Sequence, residues 1–235
     1  FTELWDEICK KRFKITNPKY RRFRYGMQVN SLGLTELQPE NNVYRILIQM
    51  LPVVIAKNSR ARAVQLPAWN EALGLPRPWD QQWSLRLQQI MAYETDLLEF
   101  SDIFDGSKVL KNRIELLKKS ASGELKKIDK IGGLVKAIEN GYLKSKLVES
   151  QTFRQKNIEK GAQKVVGVNC FSEGENSPLI DEKDGGFMKV NDKAEQQQID
   201  NVMKWKSQRK NEIVLKCLKK LKQSASAGEN IMDIS

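Results

Sequence analysis

From Phe23 to Asn30 apolar and polar residues alternate strictly: Phe23, Tyr25, Met27 and Val29 fall on one face, Arg24, Gly26, Gln28 and Asn30 on the other. A period of two predicts a strand. It suits an exposed antiparallel strand, and equally a barrel strand whose outer face packs on helices while its inner face lines a polar pocket. On either side the period becomes helical. Phe1, Leu4, Trp5, Ile8 and Phe13 mark one side of a helix ending near Lys14, before an Asn-Pro turn. Between Asn42 and Ala56, the residues Val43, Ile46, Leu47, Met50, Leu51 and Val54 form a stripe broad enough for a buried helix, despite Pro52 near its end. A second short strand, Arg62 to Leu66, completes a strand–helix–strand order whose connection is long enough for a parallel crossover, a βαβ unit.

The run ARAVQLPAWNEALGLPRPWDQQWSLRLQQIMAYE (61–94) sets that strand, an irregular Pro/Trp loop and an amphipathic helix in the order of a barrel rim. Trp79, Trp83, Leu87 and Ile90 share one side of the helix, at a spacing that suits core packing better than a stacking platform. Beyond Asp102 the pattern is helical, through Leu110, Ile114, Leu117, Leu125, Ile128 and Ile131, until Gly132-Gly133 breaks it. Leu134, Ile138, Leu143, Leu147 and Ile158 continue as helices, and Val165 to Asn169 reads as a last short extended segment. Residues 171–192, rich in Gly, Glu, Ser and Asp, have linker composition. A long basic helix is expected from about Ala194 to Gln223, with Ile199, Val202, Val214, Leu218 and Leu221 forming a packed face or one that meets a membrane surface or partner. No internal repeat is visible.

Composition narrows the classes. The 235 residues, 40% hydrophobic, can bury a substantial core and make one large domain or two small ones. The opening Phe1, without Met and already amphipathic, is expected to be a cut inside a longer protein. No apolar stretch reaches membrane-span length. Cys9, Cys170 and Cys217 are odd in number and widely spaced, which argues against a disulfide framework and a zinc site and favours a reducing, cytoplasmic setting. A net charge of +11 invites a nucleic-acid reading, but most of the excess lies beyond residue 108 as Lys alternating with apolar residues at helical spacing. Solvated helix faces account for that pattern; a basic nucleic-acid or protein interaction module is the alternative. The chain has no histidine, and no GxGxxG, P-loop, nucleophile elbow or metal-ligand cluster. A stand-alone hydrolase or metalloenzyme is therefore not expected.

The stretches FTELWDE, RRFRYGMQVNSLGLTELQPENNV, ARAVQLPAWNEALGLPRPWDQQWSLR and GGLVKAIENG followed by VVGVN resemble the adenosylcobalamin-dependent acyl-CoA mutases of the methylmalonyl-CoA mutase family, most closely the branch acting on ethylmalonyl-CoA. The resemblance runs from Phe1 to about Asn169, and more weakly, through GENIM, to Met232. It implies an α/β fold, the C-terminal portion of a TIM (β/α)8 barrel followed by a helical extension. Residues 1–100 would carry the last barrel strands and helices, 101–170 a helical region wrapping the barrel, and 171–235 a linker and basic helix leading toward a missing cobalamin-binding domain. The implied reaction is a radical carbon-skeleton rearrangement, ethylmalonyl-CoA to methylsuccinyl-CoA, with methylmalonyl-CoA or another branched acyl-CoA as the alternative substrate and a non-catalytic subunit as a further one. Such a fragment should be inactive alone. The implied partners are the acyl-CoA substrate, adenosylcobalamin, the cobalamin domain of the same parent chain and a second subunit in a homodimer or heterodimer; nucleic acid and membrane have no part.

Carried over by position, Gln28 matches a substrate-contacting glutamine and falls on the polar face deduced from alternation. Gly26 stands where methylmalonyl-CoA mutases have a histidine that hydrogen-bonds the thioester oxygen, which opens volume for a larger branch unless the glycine serves close packing. Arg62 replaces a pocket glutamine and pairs with the substrate carboxylate or with a structural Asp or Glu. The nearby HTN of those enzymes is replaced by Gln65, Leu66 and Pro67. Glu71 and Ala72 match positions touching the corrin ring, with a helix N-terminal charge as the other reading of Glu71. Leu32 occupies the site of a corrin-contacting tryptophan, and Arg24 and Asn30 share the inward face.

Overall fold

A computed structural model describes residues 1–180, 185–189 and 191–233. These form two units, Phe1–Met188 and Lys189–Ser235. The first opens with α1 (Thr2–Lys11), whose Lys10 and Lys11 complement the helix dipole and end it three residues before the expected Lys14. Extended chain then leads to β1 (Met27–Gln28), α2 (Asn41–Ile55), β2 (Val64–Gln65) and α3 (Pro78–Tyr93). β1 and β2 pair in parallel, Met27 opposite Val64 and Gln28 opposite Gln65. The predicted βαβ unit is present, and the alternative of an antiparallel strand is excluded. Backbone bonds extend the pairing beyond both strands: Arg62 N–H donates to Tyr25 O (3.0 Å), Met27 N–H to Ala63 O (2.8 Å) and Val29 N–H to Gln65 O (2.9 Å).

The core lies where α2 and α3 cover one face of this sheet. Val29, Leu34, Ile46, Met50, Leu66 and Met91 are buried together, with Leu47, Val54, Val64, Ala72, Leu87 and Leu97 packed around them. Ile46 and Met50 are one helical turn apart, each stabilising the fold by about 1.5–3 kcal/mol through burial. On α3 the buried face is Asp80, Ser84 and Met91, with Leu87 half-buried. Trp79 and Trp83 sit beside that face, each 36% exposed, so the expected tryptophan stripe is displaced from the core by about one residue's rotation. The cause is polar: Asp80 and Ser84 find buried partners, and the helix turns to bring them inward.

The remaining helices of this unit are α4 (Lys108–Ile131), α5 (Leu134–Glu139) and α6 (Tyr142–Glu159). Ser107 Oγ caps the first turn of α4, and Gly132 (φ +106°) and Gly133 (φ +98°) end it, as the pattern predicts. Glu3 and Glu7 of α1 hold Lys118 of α4 at 3.1 and 2.8 Å. The extended segment expected at Val165 to Asn169 is a tight turn instead. Gly167 (φ +79°) donates its N–H to Cys170 O, while Asn169 accepts from Val165 N–H and donates to Ile158 O and Gln163 O. An Asn side chain that closes its own loop outcompetes a ladder with no neighbouring strand.

The stretch with linker composition is partly docked. Met188 forms an antiparallel bridge with Leu75, and Gly186 O accepts from buried Asn70. Positions 181–184, 190 and 234–235 of the predicted linker and tail lie outside the described residues. In the second unit, the single long helix expected over 194–223 is two, α7 (Asp192–Gln208) and α8 (Asn211–Ala227). Arg209 (ψ 146°) and Lys210 (ψ 93°) are extended, which breaks the helix, and the Arg209 side chain bonds Asn211 across the break. Among the described residues no helix is long and apolar enough to cross a membrane.

Candidate functional site

The face of β1 turned away from α2 and α3 is open. On the helix side Tyr25 is half-buried and Val29 buried, though Met27 between them stays 39% exposed, whereas Arg24, Gly26, Gln28 and Asn30 are all exposed on the other. The side chains of Arg24 and Gln28 make no hydrogen bond or ion pair with the described residues. A Cβ built at Gly26 meets only Ala63, its O at 3.5 Å and its Cβ at 3.8 Å, which is ordinary contact. Close packing within this chain therefore does not require glycine at 26. Asn30 differs from its neighbours: its Oδ1 accepts from Leu32 N–H at 3.0 Å and caps the short 3-10 turn Ser31–Gly33, so that oxygen is committed locally.

The loops after the two strands both leave from the carboxyl end of the parallel sheet. Leu32, 66% exposed, lies in the first and Glu71, also exposed, in the second. Glu71 sits in a turn, its N–H donating to Ala68 O, seven residues before α3 begins; Asp80, not Glu71, fills the first turn of the helix. The helix-charge reading of Glu71 is thus excluded. Ala72 is half-buried and packs against the core. Arg62 is exposed and, with Val53, Val54, Ala56, Lys57 and the adjoining Ala63, lines a cavity of about 280 Å³ at the end of α2. It makes no ion pair with the described Asp and Glu residues, and neither Gly26 nor Gln28 lines that cavity.

Beneath the rim is a buried polar network that periodicity does not reveal. Asp80 accepts from Trp69 Nε1 (3.1 Å), Asn70 Nδ2 (2.7 Å), Arg77 N (2.7 Å) and Arg77 Nε (3.0 Å). Asn42 donates to Thr35 O and Trp69 O, each at 2.9 Å, and its Oδ1 accepts from Thr35 N–H and Arg45 Nη1. It thereby ties the loop after β1 to the loop after β2. Arg45 continues to Val166 O at 2.7 Å, and burial lowers its guanidinium pKa from the ordinary value. Arg77 also stacks over Trp79 at 4.4 Å, beside a triangle formed by Trp69, Trp79 and Trp83 with centroids 5.8–6.2 Å apart. One signal for this network was present: Pro78 at the first helical position with Asp80 two residues on is a capping signature. Asn42 and Asn70 carried none.

A parallel strand–helix–strand whose carboxyl-end loops are braced from below is an α/β arrangement, and α/β folds bind their ligands at the carboxyl ends of such strands. The family model described as methylmalonyl-CoA mutase matches residues 2–235, and the chain belongs to that family. Among its relatives, the ethylmalonyl-CoA mutase of Methylorubrum extorquens is 58% identical over 232 residues, 99% of this chain and 34% of the relative. The ethylmalonyl-CoA mutase of Cereibacter sphaeroides is 55% identical over all of this chain and 36% of its own length. The mitochondrial methylmalonyl-CoA mutase of Homo sapiens is 27% identical over 99% of this chain. The chain spans about a third of the curated relatives it matches.

Proposed function

We propose that this chain is part of an adenosylcobalamin-dependent acyl-CoA mutase that rearranges ethylmalonyl-CoA to methylsuccinyl-CoA, and that it is inactive without the remainder of the enzyme. The observation that carries the reading is the open face of β1, where Gly26, Gln28 and Arg24 stand uncommitted while Val29 on the opposite face is buried in the core under the helices. Higher identity to ethylmalonyl-CoA mutases than to a methylmalonyl-CoA mutase supports the choice of substrate. In this reading β1 and β2 are the last two strands of a TIM barrel, α4–α6 pack around it, and the open face lines the axial channel. The setting is the cytoplasm, and the enzyme works as a dimer.

In this role Gln28 hydrogen-bonds the acyl group from the channel wall, and Arg24 adds positive charge near its carboxylate. Gly26 leaves space where a side chain would otherwise limit the branch. Arg62, on its present side of the sheet, is a weaker candidate for the carboxylate partner. Adenosylcobalamin, when bound, supplies the radical chemistry of the rearrangement. Leu32 and Glu71 fit a large planar group: they present an apolar side chain and a carboxylate from neighbouring loops at the carboxyl rim. Ala72, half-buried against the core, would support the Glu71 loop beneath that group, and with no histidine in the chain any imidazole that binds cobalt would come from outside it. The buried bracing by Asn42 and Asp80 holds these loops and excludes water from beneath them.

The full-length protein containing this chain, loaded with adenosylcobalamin, is to be given ethylmalonyl-CoA and methylmalonyl-CoA in parallel. Methylsuccinyl-CoA as the preferred product supports the reading. Preferred formation of succinyl-CoA rejects the assigned substrate, and no product from either ester rejects the function.

A further inference from the structure

The open face has a second row, contributed by β2. Gln65 lies opposite Gln28 in the parallel register, and residues so paired project to the same side of a sheet from strands about 4.8 Å apart. Gln65 is exposed, while Val64 and Leu66 on either side of it turn into the core. Its carboxamide, like that of Gln28, makes no hydrogen bond with the described residues. One step toward the amino end, Ala63 is exposed, borders the cavity at the end of α2 and is, among the described residues, the only neighbour within 4 Å of a Cβ built at Gly26. The face therefore carries two small residues side by side and, next to them, two free carboxamides side by side.

Two adjacent carboxamides present two NH2 groups and two carbonyl oxygens. An acyl-CoA with a thioester carbonyl and a free carboxylate on one short chain presents acceptors only, a few ångströms apart. Building on the proposed function, we infer that Gln65 is a second acyl-orienting residue beside Gln28, and that Ala63 and Gly26 together floor the hollow that receives the acyl branch. The methyl of Ala63 then limits branch size from the second strand. This hollow is specific to the pairing of β1 with β2, since neither strand alone brings positions 26 and 63 together.

The test uses the full-length protein with two variants, Ala63→Val and Gln65→Met. Ala63→Val adds two methyl groups to the floor, and a difference of one methylene in an apolar pocket discriminates about 10–200-fold. It is expected to lower kcat/KM for ethylmalonyl-CoA at least about 10-fold more than for methylmalonyl-CoA. Gln65→Met keeps the length of the side chain and removes its donor. It is expected to raise the Kd of ethylmalonyl-CoA for the cofactor-free protein about 3–10-fold, the effect of one lost hydrogen bond. Should Ala63→Val fail to fold, Gln65→Met carries the test by binding alone. Equal losses on both esters together with an unchanged Kd would overturn the inference while leaving the proposed function standing. Wild-type protein that turns over neither ester would instead reject the function itself.

Discussion

The strand–helix–strand region and the helices that follow it were about equally easy to find in the sequence, yet they are held together differently. Residues 23–98 contain the apolar cluster around Ile46 and Met50 and the buried groups Asn42, Asn70, Arg77, Asp80 and Ser84. In α4–α6, 24, 6 and 18 residues long, Ala137 is the one buried residue, and in α7 and α8 it is Ser224. The first region is set by long-range contacts. The second is set by caps, glycines and surface ion pairs, while apolar residues such as Leu116, Val135, Leu147 and Phe153 stay exposed. A helix can thus be specified locally without any core of its own, whereas a parallel strand pair cannot.

Substitutions at matched positions turn that contrast into numbers. The largest effect is expected at Asp80: Asp80→Ala strands Arg77 and Asn70 without their shared acceptor and should cost about 3–5 kcal/mol in denaturant unfolding. Loss of less than about 1 kcal/mol would show that the network is not what braces the two loops. Next, Ile46→Ala should cost about 2–4 kcal/mol by leaving a cavity, while Leu147→Ala, at a residue 67% exposed, should stay within about 0.5 kcal/mol. A Leu147→Ala cost equal to that of Ile46→Ala would erase the distinction between the regions. Gly132→Ala should cost about 1–2 kcal/mol, because φ +106° strains any Cβ; the contact with the Lys136 side chain at 2.7 Å is relieved by its flexibility. A thermal shift confined to the helical region, seen by amide exchange across α4 and α5, is the matching observation.

The smallest effect concerns pH and the contact of α1 with α4. Hydrogen bonding to Lys118 lowers the Glu7 pKa, and bonding to Glu7 and Glu3 raises that of Lys118. For Glu7 the folded value lies below the unfolded one, so its contribution is complete above about pH 4.3 and is lost as pH falls through the lowered value. For Lys118 the folded value lies above the unfolded one, so its contribution is complete below about pH 10.4 and is lost only above it. Across neutral pH the contact holds. Acidification below about pH 4 should release α1 before the core between α2 and α3 loosens, and Glu7→Gln should abolish that first step. An acid titration by NMR that shows both regions responding together would contradict this order.

Much of the fold was legible because its signals are local. Alternation over 23–30 separated the two faces of β1, and the structure agrees at Tyr25, Val29, Arg24 and Gln28, whereas Met27 of the apolar face stays exposed. Stripe length marked α2 and α3, and Gly132-Gly133 marked the end of α4. Burial of α3 was misread because hydrophobicity alone cannot foresee that Asp80 and Ser84 will be paired inside. The site was half legible in the same way. Gln28 and Gly26 could be placed on a face from their own strand, but Arg62 and Ala72 are positioned by a cavity and a core that involve other segments, and Asn30 by a local cap on Leu32 that alternation does not show.

By itself the sequence determined the order and type of the elements from α1 to the end of α4, the polar face of β1 and the membership of a mutase family, because period, capping and motif identity are properties of neighbouring residues. Only the tertiary structure decided the register that sets Gln28 beside Gln65, that Asn42 ties one rim loop to the next, and that Arg62 lies against the end of α2. Each of these joins residues that are distant along the chain, and pairing register, buried hydrogen bonding and cavity shape exist only once those residues are brought together.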